Sequence, residues 1–345
     1  MTLKVGINGY GRIGRGVHRA LLERDYPIEL VAVNDPNSPP AESAYLLKND
    51  SVHRRLRDRN VRHDDNSIWV DGTQTRLTAL RDPGEIPWAD LGAQVVIDST
   101  GLFAARVDAA RHLDGGAKRV IISAPSGDAD ASICMGINHD VYDPAKVRVA
   151  SNASCTTNCL ASMARVLEEA FGLKWGLINT IHAYTSDQAL HDVAKMTRSG
   201  KPDFRRMRAA SLSSIPSSTG AARAIGLVLP ALNKLLDGVS VRIPAPDGSL
   251  TDLVVELNRD VTREEVNEAF IKAAQDPSYR GVLSVTDEQL VSSDFLGDPS
   301  SCTITLEDTM VHQGNKVRVF GWYDNEWGYA NRLIDLCLLM GERGL

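Results

Sequence analysis

Short apolar runs alternate with helical patterns through the first half of the chain. Four of these runs are predicted as strands, at residues 3–8, 28–34, 95–99 and 119–123. Between the first two strands, apolar residues recur at helical spacing, which predicts a crossover helix. Strands that alternate with helices are typical of a parallel sheet built from β-α-β units. The first half is therefore predicted to be an α/β domain.

The pattern changes beyond about residue 176, where longer β-rich segments predominate. These are predicted as strands at residues 176–184, 239–243, 251–258, 301–310 and 316–323. Thr262 and Glu265 have the spacing of a capping box, which marks the start of a helix between two of the strands. A last helix follows Asn325. The second half is therefore predicted to be an α+β domain with a mostly antiparallel sheet.

The composition favours an ordinary globular protein of 345 residues with room for two domains. A net charge of -6 gives no reason to expect nucleic acid or an anionic membrane as partner. No apolar run approaches the roughly 18 residues that would span a bilayer, and the N-terminus lacks the pattern of a secretory signal. The five scattered cysteines fit neither a disulfide framework nor a zinc site. We expect free thiols in a reducing, cytoplasmic compartment, and no metal.

A glycine motif follows the first predicted strand and opens the first predicted helix. In this G-x-G-x-x-G, Gly9 suits a tight turn, Gly11 lets backbone amides approach a pyrophosphate, and Gly14 lets helix and strand pack closely. Asp35 lies at the end of the next strand, about 20 residues beyond the motif, where a carboxylate binds the adenosine ribose. The pattern predicts a Rossmann-type doubly wound domain that binds NAD rather than NADP.

A cysteine and a histidine are the candidate reactive pair. Cys155 lies at the predicted start of a helix, where the positive end of the helix dipole favours a thiolate and should lower its pKa. His182 ends a predicted strand, and beside a reactive thiol it can act as a base. Cys159 lies one turn further along the helix and is predicted to be buried as a small apolar residue.

Four segments resemble those of one enzyme family. They read Ser-Asn-Ala-Ser-Cys-Thr-Thr-Asn-Cys-Leu-Ala at 151–161, His-Ala-Tyr-Thr-Ser-Asp-Gln at 182–188, Ser-Thr-Gly-Ala-Ala at 218–222 and Trp-Tyr-Asp-Asn-Glu-Trp-Gly-Tyr at 322–329. They are similar to the phosphorylating, NAD-dependent glyceraldehyde-3-phosphate dehydrogenases, and the similarity runs from Lys4 to the last helix. The resemblance implies a glycolytic oxidoreductase in which glyceraldehyde 3-phosphate, inorganic phosphate and NAD react through a cysteine thioester to give 1,3-bisphosphoglycerate.

The same resemblance implies an organisation and an assembly. Residues 1–154 form the NAD-binding domain, onto which the C-terminal segment 325–345 packs back, and residues 155–324 form the catalytic domain. The implied assembly is a cytoplasmic homotetramer. The loop at 189–203 is longer and more polar than is usual in the family, so the shape of the subunit contact beside the cofactor is expected to differ.

The resemblance also assigns roles to individual residues. Cys155 is the nucleophile and His182 the base. Thr185 and Arg242 are expected to bind the substrate's own phosphate. The attacking phosphate is expected to be bound by Ser154, Thr156, Arg206, Thr219 and Gly220. The cofactor residues are Gly9, Gly11, Arg12, Ile13, Gly14, Asp35, Thr100, Gly101, Ser123 and, at the nicotinamide amide, Asn325.

Three alternatives stay open at this point. One is an erythrose-4-phosphate dehydrogenase, a close relative whose motif after the histidine differs from the one present here. Another is a second isoform of the same enzyme that tolerates an inhibitor attacking the thiol. The third is a non-catalytic binding protein on the same fold, since a fold alone does not determine a function.

Overall fold

The computed structural model describes residues 2–197 and 200–345, so Arg198 and Ser199 of the 189–203 loop lie outside the described part. By its contacts the chain divides into two compact units. One extends to Ser154 and also includes Tyr329–Leu345, and the other is Cys155–Gly328. Within the described residues, no helix combines the length and the apolar character needed to cross a membrane.

From Thr2 to Ser154, the described part of the first unit before the C-terminal segment, there are nine strands and four helices. The strands are β1 Leu3–Asn8, β2 Ile28–Asn34, β3 Val61–His63, β4 Ser67–Val70, β5 Thr73–Thr78, β6 Val95–Asp98, β7 Arg119–Ile122, β8 Ala131–Ser132 and β9 Val149–Ser151. The helices are α1 Arg12–Glu23, α2 Pro40–Lys48, α3 Trp88–Leu91 and α4 Arg106–Ala109.

These strands form one sheet in the order β3-β4-β5-β2-β1-β6-β7-β9-β8. From β5 to β9 every pairing is parallel, and the order β5-β2-β1-β6-β7-β9 is that of a doubly wound dinucleotide-binding sheet. The fully buried Trp88 anchors an apolar cluster with Ile86 and Val96 beside this sheet. The Rossmann-type fold expected from the sequence is confirmed.

The second unit surrounds an eight-stranded sheet. Its strands are β10 Leu173–Ala183, β11 Ile215–Ser218, β12 Leu236–Ile243, β13 Ser249–Leu257, β14 Leu283–Thr286, β15 Cys302–Thr305, β16 Met310–His312 and β17 Lys316–Tyr323. Its helices are α5 Cys155–Phe171, α6 Ala221–Val228 and α7 Arg263–Gln275. A last helix, α8 Trp327–Arg343, begins here, and its residues from Tyr329 onward belong to the first unit.

The strand order of this sheet is β11-β12-β10-β13-β17-β15-β14, with β16 paired to β17. Among the described strands of this sheet, only the β10–β12 and β14–β15 pairings are parallel, so the expected mostly antiparallel sheet is confirmed. The single strand predicted at 301–310 is wrong in detail, because a 3-10 turn at Leu306–Asp308 separates β15 from β16. The capping box is present, with Glu265 N donating to Thr262 Oγ1 at 3.1 Å.

Candidate active site

A strained turn precedes the helix that carries the candidate nucleophile. Ala153 has a φ of 55°, in the left-handed region that residues other than glycine seldom adopt. Its N–H donates to Ser151 Oγ at 3.0 Å, and its carbonyl accepts from Tyr329 Oη at 3.0 Å. These two contacts, both within the first unit, hold the turn after β9. The chain then enters α5 at Cys155, the first residue of that helix.

Cys155 and His182 lie within contact distance in the second unit. The Cys155 Sγ atom is 3.6 Å from Nε2 of His182, which is buried at the end of β10. Arg242 pairs with His182 across the parallel β10–β12 register, and its Nη1 lies 2.7 Å from Nδ1 of the imidazole. Three side chains that the sequence separates by up to 87 positions therefore converge because helix α5 and two neighbouring strands present them together.

Burial dominates the protonation of the thiol–imidazole pair. It raises the pKa of the Cys155 thiol to about 11, which the Arg242 charge and hydrogen bonds with Thr156 offset only in part. Burial, followed by the Arg242 charge, lowers the pKa of His182 to about 3. The lowered thiol pKa expected from the helix N-terminus is therefore wrong for the ligand-free chain. Burial therefore favours the uncharged forms of both groups in the ligand-free chain, and neutral imidazole is the form that can accept a proton.

Tyr323 connects the imidazole to the first turn of α5. This buried residue ends β17, and its hydroxyl lies 2.9 Å from Thr156 Oγ1 and 3.0 Å from Thr180 Oγ1. The Tyr323 ring also meets the His182 ring edge-on, with centroids 6.0 Å apart. One side chain thus restrains both His182 and Thr156. The sequence interpretation did not single out Tyr323, although it lies inside the quoted segment 322–329.

A carboxylate joins two residues that the family resemblance assigns to different phosphates. Asp187 accepts from the Thr185 hydroxyl through one oxygen and from Arg206 Nη1 through the other. Arg206 also donates to Ser217 Oγ, from Nη2 at 3.1 Å. The sequence interpretation missed Asp187, which stands in the quoted segment 182–188. Asp187 is therefore the internal counter-ion of Arg206 and also the acceptor for the Thr185 hydroxyl.

Four more predicted residues lie in the second unit or directly before it. Gly220 is the N-cap residue of α6 and has no side chain to cap it, and a Cβ there would meet no atom within 4 Å, so the space beside Gly220 is open. Thr219 lies next to it and accepts from Ala221 N at 3.2 Å. Asn325 is buried, and its Oδ1 accepts from Ser249 Oγ at 2.6 Å. Ser154, half-buried, is the last residue of the first unit before Cys155.

The glycine motif in the first unit has the geometry that a pyrophosphate requires. Gly9 has a φ of 90°, and a Cβ on Gly14 would lie 2.3 Å from the Gly9 carbonyl oxygen. Around Gly11 there is open space on the Cβ side, and no side chain caps the helix that begins at Arg12. Backbone amides at such a helix start bind anionic groups. The residues present therefore fit a dinucleotide.

Asp35 is oriented by two backbone amides at the end of β2. Tyr10 N donates to its Oδ2 at 2.8 Å and Asn37 N to its Oδ1 at 2.9 Å. Asp35 borders a cavity of about 570 Å³, and none of the described residues that line this cavity is basic. A 2'-phosphate would therefore meet a carboxylate with no compensating cation.

Thr100, in the turn after β6, is also tied to a carboxylate. Its hydroxyl donates to Asp98 Oδ1 at 2.7 Å, and the same oxygen accepts the Thr100 N–H. Gly101 follows with a φ of 67°, and Ser123 follows β7, with its N–H donating to the Asp98 carbonyl. Three cofactor residues expected from the resemblance thus lie at the carboxyl ends of adjacent parallel strands, where nucleotides bind to such sheets.

Comparison with known proteins agrees with this geometry. Residues 154–325 match the glyceraldehyde 3-phosphate dehydrogenase C-terminal domain, and residues 3–106 match the NAD binding domain of the same family. The glyceraldehyde-3-phosphate dehydrogenase of Streptomyces coelicolor is 52% identical over 343 residues, which cover 99% of this chain and all of that protein. Glyceraldehyde-3-phosphate dehydrogenase 1 of Bacillus subtilis is 49% identical over the full length of both chains.

The chain belongs to the glyceraldehyde-3-phosphate dehydrogenase family. Glyceraldehyde-3-phosphate dehydrogenase of Geobacillus stearothermophilus, 49% identical over both complete chains, is a further relative. The family resemblance stated from four sequence segments is thereby confirmed. The NAD binding domain of the family covers the glycine motif and Asp35, so the cofactor expectation is confirmed as well.

Proposed function

We propose that the chain oxidises and phosphorylates D-glyceraldehyde 3-phosphate with NAD and inorganic phosphate, giving 1,3-bisphosphoglycerate. The observation that carries this proposal is the Cys155–His182 pair, 3.6 Å apart, in a chain whose full-length relatives bear the enzyme's name. A non-catalytic role would not account for a half-buried thiol held against a buried imidazole. None of the relatives compared above is named for erythrose 4-phosphate.

The first chemical step uses the protonation states of the pair. His182 Nε2 takes the thiol proton while Cys155 Sγ bonds to the aldehyde carbon, and the resulting alkoxide is stabilised by the Cys155 N–H and the imidazolium. The alkoxide takes up that proton, which gives a neutral thiohemiacetal on Cys155 and returns His182 to its basic form. The same imidazole then removes the hydroxyl proton as the carbon is oxidised.

NAD, when bound, supplies the hydride acceptor for that oxidation. Loss of the hydroxyl proton and of the hydride leaves a thioester on Cys155. Phosphate then attacks the thioester carbonyl, the C–S bond breaks, and the thiolate leaves with the acyl phosphate released. The free energy of the oxidation is thereby retained in a mixed anhydride.

Two anion sites are proposed around this centre. Arg242 and Thr185 bind the substrate's own phosphate. The attacking phosphate is held by Ser154, Thr156, Arg206, Thr219 and Gly220. Hydroxyls, arginine side chains and the open N-terminus of α6 are suitable donors for tetrahedral anions. Around NAD we assign Gly9, Gly11, Arg12, Ile13, Gly14, Asp35, Thr100, Gly101, Ser123 and Asn325.

The organisation and the assembly are also part of the proposal. We place the boundary between the NAD-binding and catalytic domains after Ser154, which agrees with the division of the chain by contacts. A homotetramer is supported by exposed apolar side chains on one face of β10, β12 and β13, namely Leu177, Val239 and Val254. The five free cysteines suit a reducing compartment such as the cytoplasm.

One spectrophotometric experiment tests the reaction. The purified protein is mixed with NAD and either glyceraldehyde 3-phosphate or erythrose 4-phosphate, with and without inorganic phosphate, and absorbance of the reduced cofactor is followed. We expect sustained turnover with glyceraldehyde 3-phosphate only when phosphate is present, and none in Cys155→Ser. Faster turnover of erythrose 4-phosphate, or turnover in Cys155→Ser, would contradict the proposal.

A further inference from the structure

One buried hydroxyl joins two parts of the candidate active site. Ser249 is the first residue of β13 and is fully buried. Its Oγ accepts from Ala183 N, at the end of β10, at 3.1 Å, and donates to Asn325 Oδ1, just beyond the end of β17, at 2.6 Å. All three strands belong to the second unit, where β13 lies between β10 and β17. Ser249 therefore connects the strand that carries His182 to the residue expected at the nicotinamide.

The hydroxyl of Ser249 determines which end of the Asn325 side chain it contacts. A hydroxyl has one proton to donate and two lone pairs that accept. The Ala183 N–H can only donate, so it uses a lone pair, and the Ser249 proton is left for the amide. The 2.6 Å separation from Oδ1 is typical of an O–H···O bond and shorter than the usual range of N–H···O bonds. The carbonyl end of the Asn325 amide is therefore the end that contacts Ser249.

The reversed orientation of the amide would be unfavourable. Nδ2 of Asn325 would then donate to Ser249 Oγ, which already accepts from Ala183 N. The Ser249 proton would be left without an acceptor among the described residues, on a side chain that has no solvent exposure. A buried donor without a partner is costly, because it loses its bond to water and gains none in return. The amide is therefore held in one orientation.

The nitrogen end of the same amide has no partner. Asn325 is 4% exposed, and its Nδ2 makes no hydrogen bond within the part of the chain that the structure describes. The carboxylate of the preceding residue, Asp324, accepts from Glu326 N at 2.9 Å and from Trp327 N at 2.7 Å. These bonds cap the start of α8 and fix the backbone at Asn325. A buried donor that is fixed in direction and unpaired is a group prepared for a ligand.

We propose that Ser249 is a positioning residue for the cofactor. By holding Oδ1, it directs the Nδ2 group of Asn325 towards the nicotinamide, and an N–H donor can bind only an acceptor there. The carboxamide of nicotinamide has an oxygen that accepts and an amine that donates, so Asn325 binds the oxygen. Ser249 acts through Asn325 and not by its own contact with the cofactor. The inference rests on the proposed function, because it takes Asn325 as the residue at the nicotinamide amide.

Ser249 also links cofactor binding to the position of the base. Its second partner, Ala183 N, belongs to the residue that directly follows His182 in the chain. Loss of the Ser249 hydroxyl would release this N–H and Asn325 Oδ1 together. Hydride transfer and removal of the hydroxyl proton both depend on the geometry of the reacting groups, so one hydroxyl supports both.

Binding to the ligand-free protein tests the role of Ser249 without relying on catalysis. Isothermal titration calorimetry gives the Kd of NAD and the Kd of ADP-ribose, which lacks the nicotinamide. In Ser249→Ala we expect the Kd of NAD to rise roughly 3-fold to 10-fold, because one orienting hydrogen bond is lost. The Kd of ADP-ribose should stay within about twofold. An unchanged Kd for NAD, or an equal rise for both ligands, overturns the inference.

Ser240 provides a matched control for this substitution. It is buried in β12 of the same sheet, and its hydroxyl has no hydrogen-bond partner among the described residues. Ser240→Ala should therefore leave the Kd of both ligands within about twofold of the values for the unmodified protein. A rise for NAD as large as that in Ser249→Ala would show that any buried hydroxyl of this sheet has the effect, and would contradict the specific role of Ser249.

A double-mutant cycle shows whether Ser249 acts through Asn325. In an Asn325→Ala background there is no amide to orient, so the addition of Ser249→Ala should change the Kd of NAD by less than about twofold. If the two substitutions instead multiply their separate effects, Ser249 acts independently of Asn325 and the inference is refuted.

An analogue of NAD tests the orientation of the amide. 3-Acetylpyridine adenine dinucleotide keeps the carbonyl oxygen of the carboxamide and has a methyl group in place of the amine. In Ser249→Ala the Asn325 amide can turn and accept from the amine of NAD, but it cannot accept from the methyl group of the analogue. The ratio of the analogue's Kd to that of NAD should therefore rise by roughly threefold relative to the unmodified protein. An unchanged ratio would show that Ser249 does not decide which end of Asn325 faces the cofactor.

The same measurements separate the inference from the proposed function. If Asn325→Ala leaves the Kd of NAD unchanged, the assignment of Asn325 to the nicotinamide fails, and the inference fails with it. If Asn325→Ala weakens NAD binding whereas Ser249→Ala does not, the assignment stands and only the role of Ser249 is refuted. The reaction itself is tested independently, by the spectrophotometric assay on the unmodified protein.

Discussion

Removing the Tyr323 hydroxyl should destabilise the second unit and weaken one phosphate site selectively. Tyr323→Phe deletes a single buried oxygen that bonds with Thr156 at 2.9 Å and with Thr180 at 3.0 Å. A buried hydrogen bond contributes about 1 kcal/mol net, and partners left unsatisfied cost about 1 to 3 kcal/mol. Because both threonine hydroxyls are buried, we expect the free energy of unfolding to fall by about 1 to 3 kcal/mol.

The chain offers a matched control for this substitution. Tyr279, also buried in the second unit, has a hydroxyl without a hydrogen-bond partner among the described residues. Its ring, which lies under the Arg165 guanidinium at 5.4 Å, is retained in Tyr279→Phe. Removing an unsatisfied buried hydroxyl should leave stability unchanged within about 0.5 kcal/mol or raise it.

Two measurements distinguish a structural effect from a catalytic one. Urea unfolding at equal protein concentration gives the stability of both variants, and steady-state kinetics gives KM for each substrate. In Tyr323→Phe the side chain of Thr156 loses its restraint, so KM for inorganic phosphate should rise several-fold while KM for glyceraldehyde 3-phosphate changes little. If the two Phe variants are equally stable, or if both KM values rise together, the role assigned to Tyr323 is refuted.

Two further predictions concern the thiol and the cofactor. Brief treatment with substoichiometric iodoacetamide should label Cys155 first by mass mapping, because it is half-buried whereas the other four cysteines are buried. Earlier labelling of Cys134 than of Cys155 would contradict this order. At a fixed pH, labelling of Cys155 should be slower in Arg242→Ala, because loss of the cation raises the thiol pKa. Asp35→Ser should reduce the preference for NAD over NADP, measured as the ratio of kcat/KM values, by at least about tenfold. An unchanged ratio would show that Asp35 does not select the cofactor.

The pattern of apolar residues along the chain was sufficient to predict most of the fold. The bounds of β1, β2 and β17 agree with the apolar runs at 3–8, 28–34 and 316–323, because buried strands carry a dense apolar signal. Strands β3, β4 and β5, of which β3 and β4 extend the sheet by antiparallel pairing, were not predicted. Several positions of β3 and β5 are exposed and polar, as in Val61–His63 and Thr73–Thr78, so no apolar run marks these two strands. Their place in the sheet depends on pairing partners that lie elsewhere in the chain.

The sequence was sufficient to identify the main residues of the candidate site, but not the contacts between them. Cys155 was recognised from its place at a helix start, and His182 from its place at a strand end. The effect of burial on the thiol pKa was not predicted, because it depends on which side chains of the folded unit surround the sulfur. Asp187 and Tyr323 lie inside recognised segments, yet their roles come from contacts with Arg206, Thr156 and Thr180 that only the folded sheet produces.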